Sequence, residues 1–140
     1  MNENKTEKLL KIISKLRDPS SGCEWTKSQT SKSLLPFILE ETKEIQEAFE
    51  NNDYENFKEE LGDLLLQIVL QSEIAEENNL FSFDEVIDTL CEKLIRRHPY
   101  VFKEKRPHTL EEQREAYFRI KDLEKSCLLY TSPSPRDSSK

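Results

Sequence analysis

Four acidic residues stand where a helix should be apolar. In "ILEETKEIQEAFENNDYENFKEELGDLLLQIVL", residues 38–70, Glu41 and Glu44 are three positions apart, and so are Glu60 and Asp63. At about 100° per residue, each pair falls on one helix face. Phe37, Ile38, Ile45 and Ala48 share the arc of Glu41 and Glu44. Leu64, Gln67 and Gln71 extend the face of Glu60 and Asp63. From Leu64 to Leu70 every residue but Gln67 is apolar. A helix apolar around its circumference is expected to be buried on all sides, so this acidic face is expected to look inward too. Gly62, without a side chain, is expected to let another helix come close.

Carboxylates in an interior must be paired, protonated or metal-bound. Four of them cannot all stay ionised near one another without a cation. Lys43 and Lys58 are the nearby basic residues, and their positions on the helical wheel project them elsewhere. A metal is the economical answer, and oxygen-only ligands favour Mg²⁺ or Mn²⁺. Di-iron bundles use a Glu-x-x-His motif, and no His precedes residue 98. The rival reading is a solvated acidic face with no metal.

These residues need helices to aim them, and the composition agrees. The chain has 140 residues, 35 % hydrophobic and 35 % charged, with only two glycines, which suits an all-α domain rather than a sheet with turn glycines. Five helices are expected. The first runs from about 4 to 16, with Leu9, Ile12, Ile13 and Leu16 at helical spacing. "RDPSSGCEW" is expected to be a loop. The second helix runs from Ser31 or Ser33 to Glu50, ended by "NND", and the third from an Asp53 N-cap to about Asn78. The fourth starts at Ser82 or Phe83 and stops before Pro99. Thr109 and Glu112 form a capping box for the fifth, which ends near Lys125. Residues 126–140, with two prolines and five serines, are expected to be a tail, disordered or foreign to the domain of residues 1–125.

The net charge of −7 argues against binding a nucleic-acid backbone, but not against a small anion held through a metal. Neither a secretory leader nor a membrane span is expected: "MNENKTEK" is polar, and "LLLQIVL" is too short to cross a bilayer. Cys23, Cys91 and Cys127 form no CxxC pair, so reduced thiols in a cytoplasm are the plain expectation. No glycine-rich phosphate loop exists.

Three blocks carry a family resemblance. "LRDPSSGCEWTKSQT", then "EETKE" with "EELGD", then "FSFDEVIDTLCEKLIRRHPYVF" stand in the order found in MazG-type nucleoside triphosphate pyrophosphohydrolases, of the all-α NTP pyrophosphatase superfamily. The chain resembles that family over about residues 8–120. The resemblance implies a helical bundle completed by homodimerisation. It also implies Mg²⁺-dependent hydrolysis of a nucleoside triphosphate to the monophosphate and pyrophosphate. Glu41, Glu44, Glu60 and Asp63 would be the metal ligands, and Glu40 would support them or orient water. The family commonly has Pro, Trp and Asp after the loop cysteine, where this chain has Glu24, Trp25 and Thr26.

Lys93, Arg96 and Arg97 are candidates to grip phosphate, because arginine offers a two-pronged donor fork; the alternative is cations favoured by a helix C-terminus. Lys27 and Gln29 follow the Trp25 loop and could reach substrate. Trp25 is read equally as a base-stacking platform and as a core anchor. His98 is read as a capping or packing residue, and Phe81, Phe83 and Phe102 as packing. A uniformly apolar third helix and five modest helices leave surface for a second copy to cover, so a homodimer is expected. Two rival functions are a narrower dNTP diphosphatase, acting on dCTP or dUTP, and a non-catalytic helical module for partner proteins.

Overall fold

The computed structural model describes residues 4–130. The described residues are helical and contain no strand. Contacts divide the chain into two units, residues 1–86 and 87–140.

The first unit is built on a helical hairpin. Its helices are α1 (Lys5–Leu16), α2 (Glu24–Ser28), α3 (Ser31–Glu50), α4 (Tyr54–Glu77) and the first turn of α5 (Phe83–Arg97). Caps set the boundaries. The Asn4 side chain accepts from the Glu7 N–H, Thr30 and Ser33 cap each other's backbone, and Asp53 accepts from Asn56 N–H. The ends of α3 and α4 share one device. Asn52 and Asn79 take the left-handed conformation (φ 56° and 61°), which asparagine tolerates better than most residues. Asp53 N–H then reaches back to the Ala48 carbonyl, and Leu80 N–H to that of Ala75. Each closes the helix as a glycine would.

The α3–α4 pair carries most of the tertiary contact, and α1 lies on α4. Ile13, Leu34, Val69, Leu70 and Ile74 form the buried core, flanked by Leu9, Leu10, Leu66 and Phe83. The loop after α1 is tied by Arg17. Its Nε and Nη2 donate to Glu77 at 2.8 Å each, and its Nη1 donates to the carbonyls of Thr26 and Gln29 at 2.7 and 3.1 Å. Gly22 is needed there: a Cβ would sit 2.3 Å from the Leu16 carbonyl oxygen.

Several expectations change. The "RDPSSGCEW" segment is not all loop, because α2 begins at Glu24. Leu61, Leu65 and Ile68 on α4 remain 46 %, 43 % and 42 % exposed, so α4 is buried on one side only. Nothing approaches the position of a Cβ at Gly62, so no described part of the chain uses the space it leaves. Phe83 packs as expected, whereas Phe81 and Phe102 are exposed.

The second unit holds the rest of α5, the single turn α6 (Pro99–Phe102) and α7 (Leu110–Tyr130). Thr109 and Glu112 form the expected capping box. The one-turn α6 lies below the length at which apolar period is readable. Helix α7 continues five residues past the expected stop at Lys125; residues 131–140 of the expected tail lie outside the described residues. Glu124 of α7 holds two arginines of α5. One oxygen accepts from Arg97 Nε and Nη2 at 3.2 and 2.8 Å, and the other accepts from Arg96 Nε. His98 stands at the N-cap of α6 with no side-chain bond to it; its Nδ1 lies 2.7 Å from the Leu94 carbonyl oxygen of α5, and its ring meets Tyr117.

Two outcomes are expected for stability. Leu34 is fully buried, so Leu34→Ala should cost about 3 kcal/mol, read as a lower urea midpoint. The arginines hold the Glu124 carboxyl down at about 2, from the usual 4.5. A depressed folded value means that the pair's contribution is complete above about 4.5 and is lost as pH falls toward about 2. The melting-temperature gap between wild type and Glu124→Gln should therefore close over that window, and a constant gap would refute the assignment.

Candidate functional site

The α3–α4 hairpin sets the four acids in register. Counted from Asn52 at the turn, Glu44 and Glu60 stand eight residues away, and Glu41 and Asp63 eleven. With the same rise per residue in both helices, each pair lies at matching height across an antiparallel hairpin. One carboxylate oxygen each from Glu41, Glu60 and Asp63 lies within 4.8 Å of the others. Glu44 is not in that triplet, though its charge acts on Glu60.

The electrostatics follow from this convergence. Burial, hydrogen bonds with Glu41 and Asp63, and the charges of Glu41 and Glu44 push the Glu60 carboxyl up to about 7. Glu41 Oε2 is buried with no hydrogen-bond partner, and so is Gln67 Oε1, one turn beyond Asp63. Lys58 turns away to pair with Glu55 at 3.0 Å, and Lys43 is exposed. Among the described residues, no lysine or arginine forms an ion pair with any of the four acids. Buried acceptors without donors, beside acids without counter-charge, fit a hard cation taken by oxygen ligands. Glu41, Glu60 and Asp63 are the residues that could hold one. Glu40, the neighbouring carboxylate on α3, is exposed to solvent.

Other candidate residues fall into two places. In the first unit, Trp25 is half exposed and meets Phe37 edge-to-face at 5.6 Å, so it is not a core anchor within the described chain. Lys27 pairs with Glu24 at 2.9 Å and donates to the Pro19 carbonyl. The Gln29 side chain donates to the Trp25 carbonyl and accepts from the Ser33 hydroxyl at 2.7 Å. Beside this loop, Ser14, Arg17, Asp18, Lys27, Glu73 and Glu77 line most of a hollow of about 610 Å³ that contains none of the four acids. In the second unit, Lys93 is half-buried, and Arg96 and Arg97 are held by Glu124.

Arg17, Glu77 and Glu124, the partner of Arg97, escaped the sequence reading. Arg17 and its partner Glu77 lie 60 positions apart, and Arg97 and Glu124 lie 27 apart. Such pairs carry no local period or motif. In a chain where charged residues make up 35 %, an unpaired glimpse of either partner reads as ordinary surface.

Known proteins place the chain among relatives. The MazG nucleotide pyrophosphohydrolase domain matches residues 29–102, which include all four acids and the basic run of α5. The "Nucleoside triphosphate pyrophosphohydrolase/pyrophosphatase MazG" of Thermotoga maritima is 51 % identical over 96 residues, 69 % of this chain and 37 % of that protein. The "Nucleoside triphosphate pyrophosphohydrolase" of Escherichia coli K12 is 37 % identical over 123 residues, 88 % of this chain and 47 % of that protein. The chain thus spans less than half the length of these curated relatives. The crystal structure of a mazG-related protein from Thermotoga maritima superposes with a TM-score of 0.70 at 31 % identity, covering 83 % of this chain and 98 % of that one. With the domain match over more than half its residues and this structural likeness, the chain belongs to the MazG nucleotide pyrophosphohydrolase domain family.

Proposed function

We propose that the chain hydrolyses nucleoside triphosphates to the monophosphate and pyrophosphate, using Mg²⁺ held by the α3–α4 acids. The observation that carries this reading is the convergence of Glu41, Glu60 and Asp63 around a buried, unpartnered carboxylate oxygen. The relatives' names, nucleoside triphosphate pyrophosphohydrolases, support the reaction class.

When bound, the divalent cation supplies neutralisation of phosphate oxygens and lowers the pKa of water. The chain's own residues do the rest. Glu41, Glu60 and Asp63 present the ligand oxygens, and Glu44 completes the set from the same face of α3. Glu40 orients the attacking water and takes its proton. Attack at the α phosphorus releases pyrophosphate, whereas attack at the γ phosphorus would release orthophosphate. Lys93, Arg96 and Arg97 supply positive charge for the triphosphate. The exposed Trp25 ring offers a stacking surface for the base, with Lys27 and Gln29 beside it.

The chain works as a homodimer in this reading. Leu61, Leu65 and Ile68 form one exposed stripe on α4, and Leu35 and Leu39 extend exposed apolar surface on α3. A second copy covering those stripes would remove that surface from water.

Three measurements test these assignments. Mg²⁺ should raise the melting temperature of wild type by mass action on the folded state. Glu41→Gln and Asp63→Asn should lose most of that rise. Their pyrophosphate release should fall by more than the roughly 10–100-fold typical of a residue that only supports a ligand. Their metal-free folds should survive, because removing one of several repelling charges relieves strain. Near-normal turnover in both variants would refute the site. Light scattering at micromolar concentration should give twice the 16.5 kDa chain mass, and Leu65→Lys should return it to a monomer. A monomeric wild type would sink the dimer.

A further inference from the structure

Arg97 is a peculiar candidate for gripping phosphate, because its guanidinium is already engaged. Nε and Nη2 donate to one oxygen of Glu124 at 3.2 and 2.8 Å, and Nη1 donates to the Tyr117 hydroxyl at 3.2 Å. The Tyr117 ring also lies beneath the guanidinium carbon, 5.4 Å from its centroid. A guanidinium carries five N–H donors. These contacts use one on each nitrogen and leave two, one on Nη1 and one on Nη2. No acceptor for those two occurs among the described residues.

The pattern resembles an orienting clamp more than a neutralising pair. Glu124 divides its two oxygens between Arg97 and Arg96, so one negative charge faces two positive ones and the cluster stays cationic. The Arg97 and Glu124 side chains are only 14 % and 20 % exposed. Arg97 therefore cannot swing freely, as an exposed arginine does. A carboxylate along the Nε edge and an aromatic ring under the plane fix both the direction and the tilt of the fork. The carboxyl is held far enough below the usual range that Glu124 stays charged at any working pH.

We propose that Glu124 is a positioning residue: it locks Arg97 so that the two remaining N–H donors are presented together to a phosphate group of the substrate. This rests on the pyrophosphohydrolase reading given above. It assigns Glu124, and with it Tyr117, a part in substrate affinity. Restricting the guanidinium beforehand lowers the ordering cost of gripping a phosphate when it arrives.

The test is a double-mutant cycle on pyrophosphate release from ATP, GTP, CTP and UTP with Mg²⁺. Glu124→Gln removes the charge and keeps the shape. It should raise KM about tenfold, as loss of a charge-assisted bond that organises the fork, and change kcat much less. Arg97→Ala should raise KM at least as far. In the Arg97→Ala background, Glu124→Gln should add less than about a factor of two, because its effect runs through Arg97. Tyr117→Phe, which keeps the ring and removes one acceptor, should give a smaller KM rise, and Glu124→Asp should recover part of the affinity. A merely structural Glu124 would lower the melting temperature and the amount of active enzyme while leaving KM alone. An unchanged KM in Glu124→Gln, or an equal effect with and without Arg97, overturns the proposal. If Glu124→Gln does not fold, the Tyr117→Phe and Glu124→Asp arms decide the matter by the same KM criterion. A wild type that releases pyrophosphate while Arg97→Ala keeps wild-type KM overturns this inference alone. A wild type that releases none from any of the four overturns the parent reading, and this one with it.

Discussion

Like charges forced together govern this molecule. Glu41, Glu60 and Asp63 bring carboxylate oxygens within 4.8 Å of one another, with Glu44 adding its charge. Unscreened, such groups drive each other apart or take up a proton; burial first, then hydrogen bonds with Glu41 and Asp63 and the charges of Glu41 and Glu44, push Glu60 up to about 7. Something must hold the acids in place against the repulsion. The hairpin of α3 and α4 does so, with Leu34, Val69, Leu70 and Ile74 buried in the core it shares with α1. Apolar packing thus holds like charges together at one place on the hairpin.

The turn of that hairpin is the device that makes convergence happen. Asn52 in the left-handed region ends α3 and lets Asp53 cap α4 without a long loop. Because the turn is short, the equal spacing of the acids on either side of Asn52 becomes equal height along the two helices. Inserting a residue on one side would offset the pairs by a rise and rotate them apart. Asparagine does here what glycine does at many helix C-termini, and the same solution recurs at Asn79. This explains how a helical chain manages with two glycines.

Arginine plays a different part at the edges of each unit. Arg17 forks onto Glu77 and collects the Thr26 and Gln29 carbonyls, so it fixes α2, which carries Trp25 and Lys27, and its C-cap Gln29. Arg97 is fixed by Glu124 and Tyr117. The first guanidinium spends four of its five donors on the protein itself. The second spends three. Both pairs are partly shielded from water, where a charged hydrogen bond holds geometry better than an exposed ion pair does. The acids are therefore set by apolar packing, whereas α2 in the first unit and α7 in the second are each tied by a charged fork.

The sequence by itself determined the helices and the identity of the acids. Helical period, the Asp53 cap and the Thr109–Glu112 box are local, since each depends on residues within a turn of one another. The order of the three blocks named the family, and the domain match bears that out. The short α2 and α6 were illegible, because one turn holds too little period to read. The extra turn of α7 past Lys125 was hidden by a serine and a cysteine that look like the start of a tail. Tertiary structure alone decided which carboxylates meet, leaving Glu44 outside the triplet, and which face of α4 stays open to solvent. It alone paired Arg17 with Glu77 and Arg97 with Glu124. Period fixes a residue's direction around its own helix axis. Where that direction leads depends on how far away the next helix packs, which is a property of the whole core.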